Sequence, residues 1–289
     1  MTDPLAMASL RNLPELWAAH LPRPARDAHK YRRGHVLVLS GGPLNTGAAR
    51  LSAKGAARAG AGAVTVGSPL DALAVNAAHL TSTMLAEIDD VGSLRTFLEE
   101  RLPAAVVVGP AFGVGGKCRA FVETILTSAV VGRSATAVLD ADAITSFKDE
   151  AHFLFGLIAL SEWKVVLTPH EGEFRRLFGD KAEGLKADRA CEAARRSGAT
   201  VVYKGPDTTI AAPDGRIAVN ENGSPWLATA GSGDVLAGMI AGLAGQGMPA
   251  FEAACAAVWM HGEAGTRFGP GLIADDLPDM LPAILRELL

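Results

Sequence analysis

Short apolar runs punctuate the chain, each closed by glycine or polar residues and each followed by a helical stretch. Val36–Ser40, Ala63–Gly67, Ala105–Val108, Ala137–Leu139, Val165–Leu167 and Thr200–Tyr203 are continuous in hydrophobicity rather than alternating. Such runs are strands buried on both faces, so the pattern predicts an α/β fold with a mostly parallel sheet and helices on both sides. One stretch departs from this rhythm. Thr208–Ala212 and Arg216–Val219 flank Pro213-Asp214-Gly215 and predict a hairpin. Helical spacing predicts helices over Ala48–Ala59, Val235–Gly245, Phe251–Phe268 and Leu277–Leu289. Residues 1–28 read as an irregular arm on the domain surface, with a short helix at Pro14–Ala19, and residues 29–289 as one domain.

Thr229-Ala230-Gly231-Ser232-Gly233-Asp234 leads into the apolar helix that begins near Val235. A glycine turn at a helix start leaves backbone N–H groups without helical partners and adds the positive end of the helix dipole, which suits a phosphate. Gly231, Ser232 and Gly233 are therefore a candidate anion hole. Asp234 has no place in such a hole unless it has its own task, such as taking the proton of a hydroxyl that attacks a phosphoryl group. The helix terminus is expected to keep that acid ionised near neutral pH. The alternative for an isolated G-x-G-D is a plain helix cap.

Other polar residues fall at strand ends, where open α/β sheets collect ligands. Lys204, ahead of Gly205-Pro206-Asp207-Thr208, is placed either to meet phosphate oxygens or to snorkel from a strand end. Asp140 and Asp142 share one face if the strand continues through them; they would then bind magnesium through water, or one of them caps the next helix. His170 opens a helix, as ligand contact or as cap. Glu171 and Glu173 complement that helix's dipole, and Glu173 is one turn from His170, on the same side. His261 reads as a hydrogen-bonded core histidine. Asp140 and Glu173 are the candidate metal ligands.

Composition narrows the field. The 289 residues are 49% hydrophobic and 20% charged, which fits a well-buried globule. A net charge of −4 without a basic stripe excludes a nucleic-acid binder on electrostatic grounds. The three cysteines, Cys118, Cys191 and Cys255, lack metal spacing and read as buried thiols of a reducing compartment. Without a membrane-length apolar run or a signal-peptide layout, a cytoplasmic protein is expected. Neither the dinucleotide fingerprint G-x-G-x-x-G nor a G-x-S-x-G elbow is present.

Taken together, His29-Lys30 with Gly34-His35, Thr46-Gly47-Ala48-Ala49, Gly109-Pro110-Ala111-Phe112-Gly113, Leu139–Ala143, Leu167–Phe174, Lys204–Thr208 and Leu227–Gly238 resemble one family. It is that of the ADP- or ATP-dependent NAD(P)H-hydrate dehydratases, within the ribokinase-like superfamily, and the resemblance spans about His29 to Leu289. It implies a three-layer α/β/α sandwich. It also implies that Lys204, Gly205, Pro206, Asp207, Thr208 and Gly233 hold an adenine nucleotide, while Ala48, Gly109, His170 and Asp234 line the pocket for the hydrate. Two positions depart from the family pattern: Tyr31 replaces the usual glycine, and Gly-Pro-Ala-Phe-Gly replaces Gly-Pro-Gly-Leu-Gly.

The activity so implied is repair of the S epimer of NADH or NADPH hydrate, with Asp234 as base, magnesium, and ADP or ATP as phosphoryl donor. Many relatives carry a fused epimerase domain. The roughly thirty residues ahead of the resemblance are too few for one, since independent domains need on the order of fifty, so a stand-alone dehydratase paired with a separate epimerase is expected. Ala/Gly-rich helices offer interfaces for a homo-oligomer. The alternatives are a kinase of a vitamin-precursor alcohol and a nucleotide-binding regulator without turnover.

Overall fold

The computed structural model describes residues 9–25, 29–30, 32–131, 134–179 and 184–289. The chain enters through β1 (Leu10–Arg11) and two 3-10 turns, Pro14–Leu16 and Ala18–His20. It continues through β2 (His35–Leu39), α1 (Thr46–Arg58), β3 (Ala63–Ser68), α2 (Leu70–His79), β4 (Met84–Glu87), α3 (Val91–Arg101), β5 (Ala105–Val108) and α4 (Gly116–Thr127). Next come β6 (Thr136–Leu139), α5 (Asp142–Thr145), α6 (Ala151–Leu160), β7 (Lys164–Leu167), α7 (Glu171–Phe178), α8 (Lys186–Ser197) and β8 (Thr200–Tyr203). The hairpin β9 (Thr209–Ala211) and β10 (Ile217–Val219) precedes the closing helices α9 (Ser232–Ala244), α10 (Ala250–Phe268) and α11 (Leu277–Leu288).

The strands form one sheet in the order β1-β10-β9-β8-β7-β6-β5-β2-β3-β4. From β8 to β4 every pair is parallel, while β9 pairs antiparallel with both β8 and β10. Because side chains alternate along a strand, each strand feeds two cores. Val38, Val66, Val107, Val138 and Val202 face α1, α9 and α10, whereas Leu37, Leu39, Val106, Leu139 and Leu167 face the layer containing α3, α4, α7 and α8. Each such side chain contributes about 1.5–3 kcal/mol by burial.

On the first face α1 and α9 lie backbone against backbone. A methyl group on Gly238 would stand 2.0 Å from the Ser52 carbonyl oxygen, and one on Gly242 2.5 Å from that of Ala56. Ser52 Oγ donates to the Asp234 carbonyl at 2.8 Å, which fixes the start of α9 against α1. The sequence glycines here are a condition of helix contact.

The six predicted strands, the hairpin and the helices all form, but the arm does not lie on the surface. Trp17 is 0% exposed and packs on Trp259, and Leu10–Arg11 pairs in parallel with Ala218–Val219. Buried Asn12 donates to Asn220 Oδ1 and to the Cys255 carbonyl. Residues 1–8 and 26–28 of the predicted arm, and Tyr31, lie outside the described residues. Strand β4 was not predicted because Met-Leu-Ala-Glu carries no β-branched residue and stays partly exposed at the sheet edge. Arg33 and His35 sit at the amino end of the sheet, where Arg33 bonds the Gly60 carbonyl and His35 bonds Thr65, opposite the edge where strand ends gather polar residues. Cys118 and Cys255 are buried, as expected, whereas Cys191 is only partly so.

Candidate active site

Parallel β6, β7 and β8 deliver Asp140, Thr168 and Lys204 side by side at their carboxyl ends. Lys204 Nζ stands 2.8 Å from Asp140 Oδ1, which also accepts from Thr168 Oγ1 at 2.7 Å. Glu173 Oε2 is 4.0 Å from the same ammonium. Burial works against the lysine's charge, but Asp140 and Glu173 outweigh it and hold its pKa above the ordinary value. The lysine therefore does not snorkel to solvent. It is drawn inward by carboxylates, with its side chain only 20% exposed.

Asp140 and Asp142 do not share a face. The strand ends at Leu139, and Ala141, at φ +47°, turns the chain so that Asp142 opens α5 and accepts the Gly113 N–H at 2.8 Å. Gly109 is required by proximity, since a methyl there would lie 1.8 Å from the Asp140 carbonyl oxygen. Its neighbour Ala111 adopts φ +49°, a conformation that glycine takes freely and alanine at a cost of about 1–2 kcal/mol. The alanine in Gly-Pro-Ala-Phe-Gly thus keeps a glycine-type loop.

Helix α9 is preceded by Gly231, which is left-handed at φ +88° and offers no side-chain cap. Val235 N–H is bonded to the Gly231 carbonyl, and Ser232 N–H turns to the Thr229 carbonyl at 3.3 Å. The donors without a helical acceptor are those of Gly233 and Asp234; among the predicted anion-hole residues, Ser232 points elsewhere. Its hydroxyl and carbonyl meet buried His261 at 3.1 and 3.0 Å. Burial pushes the His261 pKa down to about 4, so the ring is a neutral core group, as its position on α10 suggested.

Asp234, in the first turn of α9, sits above the ordinary carboxylate range yet stays ionised near neutral pH, as expected. Burial, reinforced by the Asp140 charge, pushes its pKa up to about 6, against the pull of Lys204. An acid poised there is largely ionised at neutral pH and more basic than an ordinary carboxylate.

A cavity of about 520 Å³ opens beside this centre. Its walls include His170, Lys204, Gly205, Pro206, Thr208 and Gly233, as well as Asn220 and Ser224, which sequence reasoning missed. Their only cue is the turn-forming run Asn220–Pro225 that follows the hairpin. Asp207 points instead at Lys186 Nζ, 2.7 Å away, while Thr208 Oγ1 closes the loop onto the Gly205 carbonyl. His170 is also a cap: Nδ1 accepts from the Gly172 N–H and Glu173 reaches back to the His170 N–H. Burial raises the Glu173 pKa. Glu171 turns away to the Tyr203 hydroxyl, Arg175 and Arg189. Ala48, Gly109 and Asp234 do not wall this cavity. Ala48 stands one turn before Ser52, on the side of α1 that meets α9. The two predicted residue sets thus separate about Lys204 and Asp140, except that His170 borders the cavity.

The sequence profile described as NAD(P)H-hydrate dehydratase matches residues 36–285. The chain belongs to the NAD(P)H-hydrate dehydratase family. Within that family it is 38% identical over 244 residues to the ADP-dependent (S)-NAD(P)H-hydrate dehydratase of Neisseria meningitidis, covering 83% of this chain and 79% of that one. It is also 38% identical over 295 residues to the bifunctional NAD(P)H-hydrate repair enzyme of Moorella thermoacetica, with 96% of this chain matched; the chain spans 54% of that longer relative. The ADP/ATP-dependent NAD(P)H-hydrate dehydratase of Bacillus subtilis, co-crystallized with ATP and Mg²⁺, superposes with a TM-score of 0.85 at 28% identity, over 98% of this chain and 100% of that one. The fold is ribokinase-like: a protein of that superfamily from Enterococcus faecalis superposes with a TM-score of 0.84 at 24% identity. Among the described residues no helix is long and apolar enough to cross a membrane.

Proposed function

We propose that this family member restores NAD(P)H from the S epimer of its hydrate, with ADP or ATP as phosphoryl donor. The observation that carries the reading is Asp234: a carboxylate raised to about 6, in the first turn of a helix whose free N–H groups adjoin Lys204. In this reading the 520 Å³ cavity takes the nucleotide, with its phosphates towards Gly233 and Lys204.

Hydroxide is a poor leaving group, and phosphate is a good one. Asp234 accepts the ring hydroxyl's proton as that oxygen attacks the terminal phosphorus, and the shortened nucleotide leaves. The Gly233 and Asp234 N–H groups and Lys204 stabilise the charge on the transferred group. The ring nitrogen's lone pair then expels phosphate by breaking the C–O bond, and loss of a proton from the adjacent ring carbon restores the dihydronicotinamide.

Among the described residues no three His, Cys, Asp or Glu side chains converge to hold a metal by themselves, and Lys204 already stands between Asp140 and Glu173. Asp140 and Glu173 would hold, through water, a magnesium ion that comes with the nucleotide. When bound, it supplies positive charge to the phosphates.

Mixing the protein with NADH hydrate, magnesium and ADP or ATP tests this by near-ultraviolet absorbance. Recovery of the dihydronicotinamide band only with nucleotide supports the proposal. A stable phosphorylated product, or no recovery from folded, nucleotide-binding protein, overturns it.

A further inference from the structure

A second cleft, of about 580 Å³, opens on the same edge of the sheet. It is walled by Gly42 after β2, Leu70 and Asp71 after β3, Asp89 after β4, and Phe112 and Lys117 after β5. Its centre, over β2 and β3, is two to three strands from β6 and hence about 10–14 Å from Asp140, on the side away from the nucleotide cavity. A dinucleotide with its hydroxylated ring beside Asp234 is long enough to reach this cleft.

The lining suits that cargo. Lys117 Nζ is the cleft's cation, 3.1 Å from Asp89 Oδ1 with both side chains about half exposed, open to a pyrophosphate. Phe112, braced by Phe121 at 5.1 Å, and Leu70, 61% exposed, present apolar surface for a base. Leu44 and Val114, two residues beyond Gly42 and Phe112, stand 97% and 57% exposed. Asp71, in the first turn of α2, has no side-chain hydrogen-bond or ion-pair partner among the described residues. Two carboxylates against one ammonium leave the cleft negative. A carboxylate accepts a hydrogen bond from a ribose hydroxyl and repels a phosphate placed there.

We propose that this cleft holds the adenosine end of the dinucleotide hydrate and selects NADH hydrate over NADPH hydrate, with Asp71 accepting from the ribose and Lys117 facing the pyrophosphate. The assignment rests on the dehydratase reading for its substrate.

The test is calorimetric titration of the full chain, its other cavity filled with AMP, with ADP-ribose and with 2′-phospho-ADP-ribose. ADP-ribose binds about tenfold tighter, Asp71→Asn narrows the gap below about threefold, and Lys117→Met weakens both ligands about tenfold. The kcat/KM ratio of the two hydrates moves in parallel. Equal affinities, tighter binding of the 2′-phosphate, or a ratio untouched by Asp71→Asn overturns the cleft assignment. Turnover of neither hydrate, with these binding preferences intact, removes the dehydratase reading while the cleft assignment stands.

Discussion

The Lys204 ammonium ties Asp140, at the end of β6, to the end of β8 across the intervening β7, at 2.8 Å. Asp140 is 1% exposed, and its buried carboxylate accepts from Lys204 and from the Thr168 hydroxyl. Lys204→Met leaves the carboxylate buried without its cation and costs about 3–5 kcal/mol, besides weakening nucleotide binding. Urea unfolding measures the first and titration with ADP the second; a variant as stable as wild type denies the pair its structural role.

The same cluster sets the pH profile. A base must be ionised to work, so kcat/KM falls on the acid side of about pH 6, the Asp234 pKa. The Asp140 charge is one cause of that elevation. In Asp140→Asn the acid limb therefore moves to lower pH. A limb that stays in place or moves upward separates the two carboxylates electrostatically.

Asp234 weakens the fold that it serves. Its proton is held more tightly in the native state, near 6, than at the ordinary 3.8, so its stabilising contribution is complete below about pH 4 and lost as pH rises through 6. At pH 7 the ionised acid costs roughly 1–3 kcal/mol. Asp234→Asn accordingly loses turnover by ~10²–10⁴-fold yet unfolds at higher denaturant at pH 7, a gain that vanishes by pH 4. Lower stability at pH 7 contradicts the raised pKa, and near-wild-type turnover contradicts the base.

Close contact between α1 and α9 holds Ala48 and Asp234 in register. Gly238→Ala places a methyl 2.0 Å from the Ser52 carbonyl, where backbone must move. The expected cost is about 1–3 kcal/mol, with kcat reduced because the start of α9 shifts. Unchanged activity and stability would falsify the contact.

The amino-terminal segment belongs to the core. Trp17, fully buried, donates through Nε1 to Asn12, which bonds Asn220 on the cavity wall. Trp17→Ala costs about 3–5 kcal/mol and weakens nucleotide binding through Asn220. A variant that melts with wild type returns the segment to the surface.

Much of this was legible in the sequence because the information is local. Continuous apolar runs mark strands buried on both faces, and Pro213-Asp214-Gly215 marks the hairpin turn. Gly231-Ser232-Gly233-Asp234 marks an uncapped helix start. The arm was misplaced because Leu10–Arg11 is two residues long and Trp17 finds its partner, Trp259, 242 positions further along the chain.

The order of elements, the polar strand ends and the family motifs were therefore fixed by the amino-acid sequence. Which polar groups meet was decided by the sheet order, which brings β6, β7 and β8 together and leaves Asp140 facing Lys204 while Ala141 turns Asp142 away. The direction of the Asp234 pKa was likewise a tertiary outcome. A helix terminus stabilises a charge over one turn, whereas burial and the Asp140 charge act through space, and here they prevail.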